Sequence, residues 1–382
     1  MLVEREMPSG ALQFEMLGLL QTFVRQKTRD VLDEIDRQEA RIRHAEHFAS
    51  GEDFLDVETL DERLDLLDAN RANLHAALET ALDELDPDWS AALVLLLGEV
   101  CLERGALEQV RGALERSSHL LQRSSPQHQI ELDLMRAELA LAGGEREAIP
   151  SFATSALTAC AQGKAQENRR QLSARAQHLL ARVARFEGSQ DAASALLERA
   201  RADASGELTI EVDVLLQRAE IAMDNHDFDR ATSLARQARE RAGELGSRRR
   251  AALASDLLAR HRWRLGEVRR ARAIYQEVLA PAIRAMRDDL EVIAQCGLGE
   301  LALFEDELGV ARVHLERALE VHEGFEDERS ERIHGLLGVL AHREGSQDLA
   351  LSHTRRALAL ATCREEARGI ARWRALEADI SF

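Results

Sequence analysis

The chain has 382 residues, of which 45% are hydrophobic and 31% charged, and its formal net charge is −18. This apolar content can bury a sizeable core, which excludes a wholly disordered chain. With only five prolines, 4% aromatic residues and few Val and Ile beside Leu, Ala, Glu and Arg, a large β-sheet is disfavoured and an all-α protein is expected.

Residues 1–88 form the first predicted region, an acidic helical linker. Apolar spacing predicts one or two helices over Gln13–Phe48, beginning with Phe14, and another over Leu60–Leu85. Asp86-Pro87-Asp88 closes this region as a natural boundary.

Residues 89–363 contain about seven copies of one pattern. In each copy a helix ends near a glycine or a polar turn, and small and bulky residues then alternate along a second helix; the fifth copy has Gly266, Val268, Ala271 and Tyr275. The turns lie at positions 105, 143, 188, 226, 266, 306 and 345, so the repeat is about 40 residues long. Small residues let two helices approach closely, and the pattern therefore predicts stacked helical hairpins.

Two further segments complete the predicted architecture. The polar stretch 162–170 is interpreted as a loop insertion, and residues 364–382 as a C-terminal capping helix that contains Trp373. We therefore expect an all-α, right-handed superhelix (an α-solenoid) of about seven hairpins, preceded by an N-terminal helical region.

Three N-terminal segments, Phe14–Phe23, Arg41–Phe48 and Leu67–Leu78, precede these repeats. Together with the repeats they resemble tetratricopeptide-repeat proteins, and more narrowly the C-terminal repeat arm of bacterial signal-transduction ATPases and transcriptional regulators of the antibiotic-regulatory and maltose-activator type. The resemblance spans essentially the whole chain. It departs from the family at His75, where an arginine is usual, and at His47, where an aromatic residue is common.

The resemblance implies a non-catalytic scaffold that binds a protein or a ligand, namely the sensor or regulatory arm of a bacterial signalling ATPase or transcription regulator. It also implies a covalently linked ATPase domain in a longer parent protein. The phosphate-binding pattern Gly-x-x-x-x-Gly-Lys-Ser/Thr does not occur in these 382 residues, so ATP hydrolysis is not expected of them. The alternatives are a free-standing adaptor that assembles a protein complex and a receptor for a peptide or small ligand.

The partner-binding groove is predicted by projecting each first helix from its close-packed residue. If Ala259 occupies the close-packed site of its helix, Asp256, Arg260 and Trp263 are expected to project toward the concave groove, and the same projection is applied to the other units. The ten residues predicted to line the groove are Arg182, Arg185, Glu220, Met223, Asp256, Arg260, Trp263, Arg264, Glu300 and His342. Mixed charge with a few apolar groups is typical of a surface that recognises a peptide or protein segment.

Charge is uneven along the chain and bears on the choice of partner. Residues 1–90 carry 22 acidic and 9 basic side chains, whereas residues 236–272 carry 12 arginines and 4 acids. The basic stretch, with Trp263 within it, is the nearest feature to a nucleic-acid signature, but the net negative charge argues against that partner. An acidic protein segment is preferred, and the chain's own N-terminal region is one candidate.

Other chemistry receives little support from the sequence. His44 and His47 could face one metal ion, but no third ligand is recognisable, so packing or capping is favoured. The four cysteines are scattered, and no nucleophile–base signature or nucleotide loop accompanies the abundant carboxylates. We expect no catalysis, no cofactor and no metal. Since no apolar run approaches the roughly 20 residues of a membrane span, we expect no membrane partner and a soluble, cytoplasmic protein.

Overall fold

The computed structural model describes residues 2–6, 12–16, 34–164, 168–204, 206–284, 287–322, 328–363 and 367–381. Within these residues the protein is built almost entirely from α-helices, which confirms the predicted all-α helical repeat. The chain divides into two compact units, Met1–Met135 (unit 1) and Arg136–Phe382 (unit 2). The boundaries drawn from the sequence after residues 88 and 363 stay predictions.

The chain begins with a small β-hairpin where a helix was predicted. Strands β1 (Leu2–Glu6) and β2 (Leu12–Met16) pair antiparallel, with Leu2 opposite Met16 and Glu6 opposite Leu12. The prediction that a helix begins near Gln13 is therefore wrong. Apolar residues at alternate positions of β2, including Phe14, have the period of a strand, and this period prevails over the helical interpretation. Residues 17–33, which the predicted helix also covered, lie outside the described residues.

Unit 1 continues with helices, two of which have capped starts. They are α1 (Glu34–Ser50), α2 (Leu60–Ala69), α3 (Arg71–Asp83), α4 (Pro87–Arg104), α5 (Leu107–Leu121) and the first part of α6 (Pro126–Gly143). The Thr59 hydroxyl accepts the N–H of Glu62 at 3.2 Å, and the Glu62 carboxylate accepts the N–H of Thr59 at 3.1 Å. This capping box starts α2, while the carboxylate of Asp86 caps α4 ahead of Pro87.

Unit 2 contains the rest of α6 and twelve further helices among its described residues. They are α7 (Ile149–Ala161), α8 (Arg169–Phe186), α9 (Gln190–Asp203), α10 (Leu208–Asp224), α11 (Phe228–Leu245), α12 (Arg248–Arg264), α13 (Val268–Arg284), α14 (Asp288–Phe304), α15 (Leu308–Val321), α16 (Glu328–Arg343), α17 (Gln347–Cys363) and α18 (Ala367–Ser381). Residues 162–168 of the predicted insertion fall between α7 and α8, whereas residues 169–170 begin α8. Residues 165–167 lie outside the described part of the chain.

The turns between paired helices lie where the repeat pattern predicted them. Positive φ angles occur at residues 105, 188, 226, 266, 306 and 345, and the second turn has its positive φ at Gly144, one residue after the predicted position. A residue in the left-handed region reverses the chain after a helix. The helices on either side of a turn then pack as a hairpin, as in α4–α5, α8–α9, α10–α11, α12–α13, α14–α15 and α16–α17.

The hairpin interiors hold the small and bulky residues that the pattern assigned to them. In the fifth hairpin Ala271 and Tyr275 are buried, and in the sixth Ala311 and Leu315 are fully buried. At Gly299 an added Cβ would lie 2.6 Å from a Leu315 methyl carbon, so only glycine permits this approach of α14 and α15. Among the described residues no helix combines the length and the apolarity that crossing a membrane requires.

Two hairpins contain a polar pair at equivalent positions in their interior. In the sixth hairpin His314 Nδ1 lies 2.7 Å from Gln295 Oε1, and in the seventh His334 Nδ1 lies 3.0 Å from His353 Nδ1. Burial first, and then the neighbouring His353 and Arg356, lower the pKa of His334 to about 4. Burial also lowers the pKa of His353. Both rings are therefore neutral at pH 7.

Acid is expected to weaken the seventh hairpin. The pKa of His334 is lower in the folded protein than in the unfolded chain, so the unfolded chain binds more protons, and stability falls as the pH drops from about 6.5 towards 4. Between pH 7 and pH 5 we expect a loss on the order of 2 kcal/mol. The variant His334→Gln copies the Gln–His pair of the sixth hairpin and should flatten this dependence. Urea unfolding, followed by hydrogen exchange in α16 and α17, measures the pH dependence of stability in the wild-type chain and in the variant. If stability falls as steeply with acid in the variant, His334 does not cause the dependence.

Candidate ligand-binding face

In unit 2 the first helices of the hairpins form a layer of their own. Helices α8, α10, α12, α14 and α16 each pack against the next in this series as well as against their hairpin partners. The side of this layer that faces away from the second helices is called the inner face below. All ten residues predicted to line a groove are located on these five helices. Nine of them lie three, six or ten residues before the turn that follows their helix, and Arg264 lies two residues before it.

Ion pairs between successive first helices run along the inner face. Arg175 on α8 contacts Glu138 on α6 at 2.8 Å, and Arg185 on α8 contacts Glu220 on α10 at 2.5 Å. Arg185 also reaches Asp224 at 3.2 Å. Because each pair joins neighbouring hairpins, much of the charge predicted for the groove serves to hold the repeats together.

The densest group of charges lies on α12, α14 and α16. Arg332 donates one hydrogen bond to Asp256 at 3.4 Å and one to Glu300 at 2.7 Å. Tyr275 comes from the outer helix α13 and donates its hydroxyl hydrogen to Asp256 at 2.8 Å. These four residues are called the Arg332 cluster. Its members come from three successive hairpins, so it joins helices that are not neighbours in the chain.

A glycine lets the tyrosine reach this cluster. A Cβ at Gly297 on α14 would lie 2.1 Å from the Tyr275 ring, which is too close for two carbon atoms that are not bonded to each other. The ring therefore occupies the space that a side chain at position 297 would fill. Tyr275 is 2% exposed, and its hydroxyl is delivered from the outer layer to Asp256 on the inner face.

Electrostatics keeps the two carboxyl groups of the cluster ionised. Burial opposes the charge on Asp256 and Glu300, but attraction by Arg332 outweighs it, and the pKa of each carboxyl is lowered. Burial raises the pKa of Tyr275 well above its usual value, and the Asp256 charge adds to this effect. Burial would lower the pKa of Arg332, but the two carboxylates prevail and raise it. At neutral pH the cluster holds two carboxylates, one guanidinium and a neutral phenol.

Two more arginines flank the cluster. Arg260 Nη1 lies 3.7 Å from Asp256, and Arg372 Nη2, on α18, lies 3.6 Å from Glu300. Their side chains are 37% and 53% exposed. In the part of the chain that the structure describes, neither guanidinium donates a hydrogen bond. The cluster and its two flanking arginines together carry a net charge of about +1 at pH 7.

Aromatic rings lie at the C-terminal end of α12. Trp263 is partly buried, packs against the core of its own hairpin and meets Phe304 edge-on, with ring centroids 5.7 Å apart, and Phe304 is 58% exposed. Arg264 is exposed, and its guanidinium carbon lies 5.8 Å from the centre of the Phe228 ring. This end of α12 therefore presents cationic and apolar surface together.

The remaining predicted residues lie apart from this group. Met223 is 4% exposed and packs with Ala231 and Leu234, so it belongs to the hydrophobic core. Arg182 is partly buried beside the Phe186 ring, and His342 is partly buried on α16. The groove assignment of the ten residues stays a prediction.

Sequence reasoning missed Arg332, Tyr275 and Arg372 as members of the face. A periodic signal for Arg332 was present: it lies thirteen residues before its turn, as Arg175 and Asp213 do, and both of these also form ion pairs between hairpins. For Tyr275 the signal was Gly297, a glycine inside a helix whose missing side chain leaves room for the Tyr275 ring. For Arg372 we see no signal in the sequence.

Several arginines of the basic stretch 236–272 are paired with acidic neighbours. Arg250 binds Asp213 at 2.8 Å with only 8% of its side chain exposed, Arg262 binds Glu267 at 3.0 Å, and Arg272 binds Glu307 at 3.0 Å. Phosphate binding would have to break these pairs. The geometry therefore gives no support to a nucleic-acid interface here.

The histidines on α1 have other contacts. His47 Nε2 lies 2.8 Å from Asp53, and the His44 ring packs on Phe48 with centroids 4.8 Å apart. Within the described ranges no group of three or more His, Cys, Asp or Glu side chains could hold a metal ion.

Neither a protein-family model nor a curated protein matches the sequence. Among solved structures, a Rap protein complexed with Competence and Sporulation Factor matches with a TM-score of 0.58 and 13% identity, covering 91% of this chain and 99% of that one. A signal transduction ATPase with numerous domains from Pyrococcus horikoshii, which has a tetratricopeptide repeat sensor, matches with a TM-score of 0.55 and 13% identity. The match covers 96% of this chain but only 56% of the ATPase.

Likeness at this level of identity shows the fold. The layered hairpins, their turns and these two structures agree with the resemblance seen in the sequence. The chain has the fold of tetratricopeptide-repeat proteins and resembles the repeat arm of a signal-transduction ATPase.

Proposed function

We propose that the inner face of unit 2 binds a peptide or a protein segment, and that the protein is a binding scaffold without catalytic activity. The observation that carries the proposal is the end of α12, where partly exposed cationic and aromatic side chains lie side by side over a buried charged cluster. Such a surface offers both hydrogen-bond donors and apolar contact, which an extended peptide uses for affinity and specificity.

The likeness to a Rap protein in complex with a factor, and to an ATPase with a repeat sensor, supports this proposal. The finer role we propose is that of the sensor arm of a cytoplasmic bacterial signalling ATPase or transcription regulator, in which ligand capture alters the packing of successive hairpins. A free-standing adaptor and a receptor for a small ligand are the alternatives. Reading the coding sequence upstream of Met1 for a phosphate loop in the same frame distinguishes the linked arm from the adaptor.

Photo-cross-linking tests the binding face. The full chain carries benzoylphenylalanine in place of Trp263, at the end of α12 beside the exposed Phe304, or, as a control, in place of Val313, which is 67% exposed on the outer helix α15. Each variant is irradiated in extract of the source cells, and adducts are identified by mass spectrometry. We expect a specific adduct from position 263 that is absent from position 313.

The nature of the adduct separates the alternatives. A short peptide indicates a receptor, whereas folded protein partners indicate an adaptor. The same adducts from both positions, or none from position 263, would refute binding at the inner face.

A further inference from the structure

We infer that Arg260 and Arg372 form a subsite for a carboxylate of the bound peptide, beside an apolar subsite at Trp263 and Phe304. This inference rests on the proposed function, because it assigns chemistry to the same face. These two arginines lie beside buried carboxylates and still have unused donors. Arg175, Arg185, Arg250 and Arg332 each donate hydrogen bonds to carboxylates, while Arg260 and Arg372 lie 3.6 to 3.7 Å from theirs without a hydrogen bond among the described residues.

The cluster beneath holds the two guanidiniums in place. Asp256 attracts Arg260 and Glu300 attracts Arg372, while both carboxylates are fixed from the other side by Arg332. Arg260 and Arg372 both act electrostatically on Glu300, so both lie within range of one carboxylate. An anion that binds the two arginines therefore meets cations that are already drawn towards the cluster, which reduces the entropy lost on binding.

Charge balance selects the ligand group. The cluster and its flanking arginines sum to about +1, which a single carboxylate neutralises, whereas a phosphate with nearly two negative charges would leave an excess. Arginine binds carboxylates through paired hydrogen bonds, and the exposed donors of Arg260 and Arg372 are suited to this geometry.

Apolar surface adjoins the charged subsite. Trp263 follows Arg260 by three residues on α12, a spacing that places their Cβ atoms about 5 to 6 Å apart on one helix face. Phe304 extends this surface from α14 and is 58% exposed. The ligand expected is a peptide in which a carboxylate lies next to an apolar or aromatic residue.

A positional-scanning library of nine-residue peptides tests the inference with the full chain. The library is made in two forms, with free and with amidated C-termini, and bound peptides are quantified by mass spectrometry. We expect enrichment of about tenfold for Asp or Glu over Asn or Gln at one position, next to a preference for apolar residues. Enrichment in both forms identifies a side-chain carboxylate, and enrichment only with free C-termini identifies the terminal carboxylate; either supports the subsite.

The variants Arg260→Gln/Arg372→Gln and Arg269→Gln/Arg374→Gln remove the same charge. Arg269 and Arg374 are exposed, on the outer helix α13 and on α18, so the second pair is the control. The acidic preference should disappear in the first pair and persist in the second. Binding without acidic preference, or a preference that the first pair retains, would overturn the subsite and leave the proposed function standing. Failure of the wild-type chain to bind any peptide would contradict both.

Discussion

Replacement of Arg332 by methionine is expected to lower the free energy of local unfolding by about 3 to 5 kcal/mol, because it removes the cation that hydrogen-bonds both buried carboxylates. Arg260 and Arg372 attract the same carboxylates but form no hydrogen bond with them among the described residues. Asp256 is 9% exposed and the Glu300 side chain 13%, so water cannot replace the lost guanidinium. The change should appear as faster hydrogen exchange in α12, α14 and α16, measured by mass spectrometry under native conditions. In a repeat array a loss of stability stays near the affected hairpins, because each repeat contacts only its neighbours.

Two controls separate this charge effect from a loss of packing. The exposed pair of Arg355 and Glu377 at the surface offers a matched change, and Arg355→Met should cost no more than about 1 kcal/mol. The triple variant Arg332→Met/Asp256→Asn/Glu300→Gln should recover a large part of the stability, since no charge is then left buried. If Arg332→Met and Arg355→Met have equal effects, the Arg332 cluster does not hold the three hairpins together.

Replacement of Trp373 by alanine is expected to release the last helix. Trp373 is 2% exposed, packs against Ala357 and Ala361, and donates its Nε1 hydrogen to Glu331 at 2.8 Å. A Cβ at Gly335 would lie 2.0 Å from its ring, so the ring fills the space beside α16. Truncation of a buried tryptophan costs about 3 to 5 kcal/mol.

The measurement is hydrogen exchange in α18 and α16. Trp373→Phe keeps most of the apolar contact and loses the hydrogen bond to Glu331, so it should cost less than half as much as the alanine variant. Because α18 carries Arg372, the alanine variant should also weaken acidic peptide binding. Unchanged exchange in α18 of Trp373→Ala would show that this helix is held by other contacts.

The hairpins could be predicted because their signals are local. A glycine or a polar residue at a turn, and a small residue five positions later, depend only on the geometry of two adjacent helices. His226 and Asp306, which are not glycines, were found by spacing alone, and both have positive φ. The N-terminal hairpin was missed because a few alternating residues such as Phe14 also fit a short helical pattern.

The candidate site was predictable only in part. Helical projection placed Asp256, Arg260 and Glu300 on one face. It could not show that Arg332, from the seventh hairpin, reaches Asp256 in the fifth. That contact depends on the curvature of the helix layer, which arises from the packing of many residues. The same limit explains Met223, which projection assigned to the groove and which the neighbouring second helix covers.

The central claim is that the inner face of unit 2, and not its outer helices, receives the ligand. The comparison of cross-linking from position 263 with cross-linking from position 313 tests this most directly. The account predicts a specific adduct from the inner position that excess of a selected acidic peptide abolishes. An adduct that persists under this competition, or one that forms equally from the outer position, would contradict it.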